Sequence, residues 1–78
     1  MDLLDLRNEI DKIDEQLIPL LQHRMNLSKA VAEYKVQRGL PVFNAQREQQ
    51  ILDGVKEKCG QDGGAVATVF SATMDASG

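Results

Sequence analysis

Apolar residues in the first half of the chain recur at gaps of three and four: Leu3, Leu6, Ile10, Ile13, Leu17, Leu20, Leu27, Val31 and Tyr34. Arg24 takes the one place in the series where another apolar residue would fall. This is the period of a helix that buries one face, and it predicts a single helix from near the start to about Arg38. Asp2 and Asp5 suit its N-terminal end, and Lys35 and Arg38 its C-terminal end, because the helix dipole favours those charges there. Gly39 and Pro41 mark the stop. Pro19 interrupts the pattern, since it removes a backbone donor and crowds the preceding turn. The apolar phase is nevertheless the same on both sides, so a kink within one helix is expected rather than two helices.

A second helix is expected after GLPVF, with Asn44 as N-cap and Ile51, Leu52 and Val55 as a short apolar face. Gly54 weakens it by about 1 kcal/mol relative to Ala, and it should end near Cys59 and Gly60. GQDGG reads as a loop. In AVATVFSATMDAS, Val66, Val69, Phe70, Thr73, Met74 and Ser77 repeat with helical spacing, which predicts a third helix. The fold class is therefore all-α, a single domain over residues 1–78. The first helix decides the architecture. At about 1.5 Å per residue it spans roughly 54 Å. A compact chain of this length has a radius of gyration near 11–12 Å and is only about 30 Å across. Two short helices cannot cover such a rod, so an intertwined homodimer built on the long helices is expected.

The 78 residues carry a net charge of −3, which gives no electrostatic case for nucleic acid or an anionic membrane as partner. The start, MDLLDLRNEID, is acidic and amphipathic, unlike a secretory signal, and no run reaches the roughly 18 apolar residues of a membrane span. Cys59 is alone, so neither an intrachain disulfide nor a thiolate metal cluster can form, and a cytoplasmic location is expected. His23, the one histidine, lies off the apolar stripe and reads as a surface residue. There is no Ser/His/Asp or Cys/His set, no HExxH and no glycine-rich phosphate loop. An enzyme with this inventory works without nucleophile, metal or cofactor, by positioning and electrostatics.

The cations on the apolar face stand out. Relative to Leu17, Arg24 and Lys35 lie about 20° and 0° around the helix axis, near the centre of the stripe, whereas Lys29 lies about 120° away. Neither Arg24 nor Lys35 has an acid one turn away, and Glu33 belongs with Lys29 on the solvated face. Two readings are open. The side chains snorkel at the edge of a dimer seam, or an anionic ligand meets them, because unpaired buried charge is costly. Ser28, on the same face, either allows a close helix crossing or leaves room for that ligand. Arg24 and Lys35 are 11 residues apart, roughly 16 Å along one face, so their long side chains can converge. Arg7 precedes Arg24 by 17 residues, roughly 25 Å, and cannot join the same site on one helix. It is either an ordinary surface arginine or, in an antiparallel dimer, a contribution to the partner's site. Two Arg and one Lys would suit a small dicarboxylate, which guanidinium grips bidentately.

LRNEIDKIDEQLIPLLQHRMNLSKAVAEYKVQRGLPVFNAQREQQIL strongly resembles the all-α chorismate mutases of the shikimate pathway. The likeness lies in LRxxID-x-ID-x-x-L-x-x-LL-x-x-R, a Lys eleven residues on, a Pro-Val loop and RE; it covers residues 6–52 closely and the third helix more loosely. The resemblance implies a dimer of three-helix chains that rearranges chorismate to prephenate, without cofactor or metal. It implies that Arg24, and Arg7 from the other chain, hold the two carboxylates, and that Lys35 donates to the ether oxygen of the breaking C–O bond. It further implies that Glu48 accepts from the ring hydroxyl with Arg47 and the backbone at Asn44 beside it, and that Ser77 helps at one carboxylate. On their own, Arg47 and Glu48 read as solvated helix charges. Asn44 stands where some members have Asp.

One departure concerns a second donor to the ether oxygen, Gln or Glu in the family, one turn beyond the Ser. Four residues after Ser77 falls past Gly78, so the third helix reads as cut short. Loss of one such donor costs roughly 10²–10³ in rate. Two other functions fit the same residues: a lyase that removes pyruvate from isochorismate on the same fold, and a non-catalytic module that only dimerises or binds the ligand. Glu48 and the RE motif incline the reading to the mutase.

Overall fold

The computed structural model describes residues 1–78, and it is all-α with no strand. Helix α1 runs from Leu3 to Gln37, α2 from Ala45 to Cys59 and α3 from Gly63 to Ala76. Asp2 caps α1, its Oδ1 accepting from the Asp5 amide at 2.8 Å. The helix continues through Pro19 as one element, so the shared apolar phase on either side outweighs one lost backbone donor. It ends as GlyLeuPro demands. Gly39 takes φ +68, its amide donates to the Val36 carbonyl at 3.2 Å, and the Leu40 amide reaches back to the Lys35 carbonyl at 2.8 Å. That pair of bonds satisfies two of the helix's last carbonyls.

Asn44 starts α2 as expected, with Oδ1 accepting from the Arg47 amide at 3.1 Å. One expectation needs correction. GQDGG is not all loop: Gly60–Asp62 form a 3-10 turn and the last two glycines already belong to α3. The reason is steric. A Cβ on Gly63 would lie 2.8 Å from the Lys56 carbonyl oxygen, so only glycine lets α3 begin this close to the end of α2. Glycine's low helix propensity is overridden by that crossing. Lys29 and Glu33 are both exposed and form no ion pair; the one ion pair joins Lys12 and Glu9 at 3.3 Å.

Helices α2 and α3 pack as a hairpin, and what little is fully buried lies on α3: Gly63, Ala67 and Met74. No residue of α1 is buried. The chain measures 55 × 25 × 15 Å with a radius of gyration of 15.8 Å, well above the roughly 11–12 Å of a compact domain this size. Leu3, Leu6, Ile10, Ile13, Leu17 and Leu20 remain exposed along one rod.

Candidate functional site

The C-terminal half of α1, the following loop and the hairpin line an open hollow of about 320 Å³. Helix α1 contributes Arg24, Ser28 and the apolar Leu27, Val31 and Ala32; the loop contributes Val42, Phe43 and Asn44. Arg47, Glu48 and Ile51 come from the first two turns of α2, and Met74, Ser77 and Gly78 from the end of the chain. A second hollow of about 430 Å³ adjoins it, lined by Lys35, Leu40, Pro41 and Ala45 together with Phe43 and Asn44, which line both.

Five of the residues singled out in the sequence, Arg24, Asn44, Arg47, Glu48 and Ser77, thus meet at one cleft although they come from three helices. Lys35 faces the neighbouring hollow. Its Nζ donates to the Val42 carbonyl at 3.1 Å, which ties the end of α1 to the loop. An ammonium has three donors, so two remain for a ligand. Arg7 lines neither hollow. It is exposed near the far end of α1, as the spacing of 17 residues requires. His23 is exposed too.

Burial follows the same division. Arg24, Ser28, Lys35, Glu48 and Ser77 are half-buried, whereas Arg47 is exposed. None of Arg24, Lys35 and Arg47 is in an ion pair with a carboxylate, Glu48 included. The cleft therefore carries uncompensated positive charge beside one carboxylate, over an apolar floor. It can take a small anion with apolar surface. Asn44 spends its side-chain oxygen on the α2 cap, and its carbonyl accepts from the Glu48 amide at 3.2 Å. Ser77 follows the last turn of α3, and its Oγ donates to the Met74 carbonyl at 2.9 Å.

Sequence reasoning missed two parts of this arrangement. The tie from Lys35 to Val42 depends on how the loop folds back, and no residue pattern encodes a carbonyl's direction. From the sequence Phe43 reads as part of a connector; the available signal is an aromatic residue beside a helix cap, away from any apolar stripe.

Several known proteins are similar to this chain. The chain is 39% identical over 57 residues to a chorismate mutase of Methanocaldococcus jannaschii, covering 73% of this chain and 58% of that protein. It is 39% identical over 54 residues to a bifunctional chorismate mutase/prephenate dehydratase of Aquifex aeolicus, covering 69% of this chain and 15% of the relative. With the T-protein of Haemophilus influenzae it shares 44% over 50 residues, 64% of this chain and 13% of the other. The chain thus spans little more than half of the first relative and a small part of the other two. No solved structure matches it significantly. Residues 6–78 match the family model for chorismate mutase type II, and the chain belongs to that family.

Proposed function

We propose that this chain is a chorismate mutase domain, residues 1–78, acting as a homodimer that converts chorismate to prephenate. The observation that supports it is the meeting of Arg24, Asn44, Arg47, Glu48 and Ser77 at one cleft with no carboxylate paired to its arginines. Chorismate is a dianion with an apolar ring. To react it must fold so that its enolpyruvyl side chain lies over the ring. Arg24 grips one carboxylate bidentately and Arg7 of the other protomer grips the second, which holds that folded shape. Arg47 and Ser77 add donors at the anion, while the Glu48 carboxylate accepts from the ring hydroxyl beside the Asn44 backbone. Lys35 donates to the ether oxygen.

As the C–O bond breaks, negative charge grows on that oxygen. A fixed ammonium there stabilises the transition state more than the substrate, which is the condition for acceleration. A rate gain of about 10⁶ requires roughly 8 kcal/mol of such differential stabilisation. The rearrangement is unimolecular and transfers no proton, so its chemistry calls for no cofactor. No helix is long and apolar enough to cross a membrane. A cytoplasmic enzyme is the reading that fits its free, exposed Cys59.

The test is incubation of the purified chain with chorismate, following substrate loss and product identity, beside Arg24→Ala. Prephenate formation that falls about 10³-fold in the variant is the expected result. Pyruvate release from isochorismate without prephenate would point to the lyase instead, and binding of prephenate without turnover of chorismate would leave a ligand-binding module.

A further inference from the structure

Phe43 is 71% exposed, more than any other large apolar residue except Met1. It is also the one aromatic residue at either hollow, and it lines both. Its backbone is held on each side. The preceding Val42 carbonyl is tied to Lys35 Nζ at 3.1 Å, and the following Asn44 caps α2 through the Arg47 amide at 3.1 Å. These two bonds hold the backbone on either side of Phe43, which places the residue between the hollow of Arg24 and the hollow of Lys35.

We propose that Phe43 is a substrate-contacting residue: its ring packs on the apolar face of the bound cyclic dianion and closes the cleft over it. This rests on the mutase reading and extends it to a specificity-determining residue. A ligand that meets both Arg24 and Lys35 has to pass the Phe43–Asn44 segment, because these two residues border both hollows. Leu27, Val31, Ile51 and Met74 already give the first hollow apolar surface, and a ring lying there leaves its outer face to water unless Phe43 covers it. Covering it removes the phenyl group from water. It also dries the surroundings of Arg24 and Lys35, which strengthens their hold on carboxylate and ether oxygen.

The test uses the whole chain. The sequence contains no Trp, so Phe43→Trp places a single reporter at the site. Its emission should be that of an exposed indole, open to acrylamide, in the free protein. It should shift to the blue and become shielded on saturation with prephenate, which binds without turning over, with calorimetry verifying occupancy. In parallel, Phe43→Ala should raise KM for chorismate roughly tenfold at unchanged melting temperature, and Phe43→Leu should recover part of the loss. An indole unaffected by bound prephenate, or already shielded in the free protein at all concentrations, would overturn the proposal; the second result would make Phe43 an interface residue between protomers. Unchanged kcat/KM in Phe43→Ala would overturn it equally. A native chain that neither turns over chorismate nor binds prephenate sinks the mutase reading first, and this one with it.

Discussion

From Leu3 to Leu20 every residue of α1 is exposed, although this half of the helix carries six residues of the apolar stripe. From Arg24 to Lys35 the half-buried residues are Arg24, Met25, Ser28, Ala32 and Lys35, while Leu27 and Val31 stay exposed. An ordinary domain does the reverse, covering its leucines and leaving its cations wet. The two halves of α1 have different surroundings. The hairpin of α2 and α3 shelters the cationic half because that half lines a cleft. The apolar half stays uncovered, as the interaction face that the proposed dimer requires would be. Arg7 sits in the apolar half, outside its own chain's cleft, and the proposed dimer is what would carry it to another protomer's cleft.

Subunit mixing puts this division to its most severe test. Arg7→Ala and Arg24→Ala should each lower turnover about 10³-fold when assayed alone. If the site is shared across a two-fold dimer, unfolding and refolding the two variants together creates mixed dimers with one intact site and one doubly impaired site. Random pairing then restores about a quarter of the native sites. A mixture no more active than its components would mean that Arg7 serves no neighbouring cleft, and the apolar half of α1 would need another explanation.

Legibility followed the same line through the molecule. The 3.6-residue period, Asn44 and Gly39 were enough to place all three helices, because periodicity, caps and stops are local signals. Arg24 and Lys35 could be singled out because charge on an apolar stripe breaks a local rule, and such breaks mark functional sites. Arg47, Glu48 and Ser77 could not be reached that way. Each sits where a charged or hydroxyl side chain is unremarkable, and only the motif shared with a family raised them. The start of α3 at Gly63 was hidden for another reason: a close approach to Lys56 in space leaves no mark in the sequence around it.

A smaller effect separates the two roles of Lys35. Its Nζ bonds the Val42 carbonyl and faces the second hollow at once. Lys35→Ala should lower kcat by roughly 10²–10³, as expected for one lost donor at a developing oxyanion. Lys35→Gln keeps a neutral donor for the carbonyl and removes the charge. If it behaves like the alanine variant in kcat while holding KM near the native value, the charge acts in the transition state and the tie to the loop is secondary. If it retains most of the native kcat, the lysine is chiefly a fastener for the loop, and the cationic half of α1 supplies only Arg24.

The smallest effect expected concerns the cap that aims Arg47 and Glu48 at the cleft. Asn44 Oδ1 holds the Arg47 amide, so that oxygen is committed to the helix, and in the proposed site the backbone makes the contact to the ligand. Asn44→Ala should cost about 1 kcal/mol, which for a domain of this size lowers the melting temperature by about 4–8 °C at fixed protein concentration. Asn44→Asp keeps an acceptor at the same place and adds favourable charge at a helix N-terminus, so its melting temperature should stay near the native value. Its KM should barely move, since the contact to substrate is made by a backbone that both residues supply. An aspartate variant that melts like the alanine one would show that Oδ1 does not cap α2. One that keeps its stability but loses affinity would show that the amide side chain itself meets the ligand.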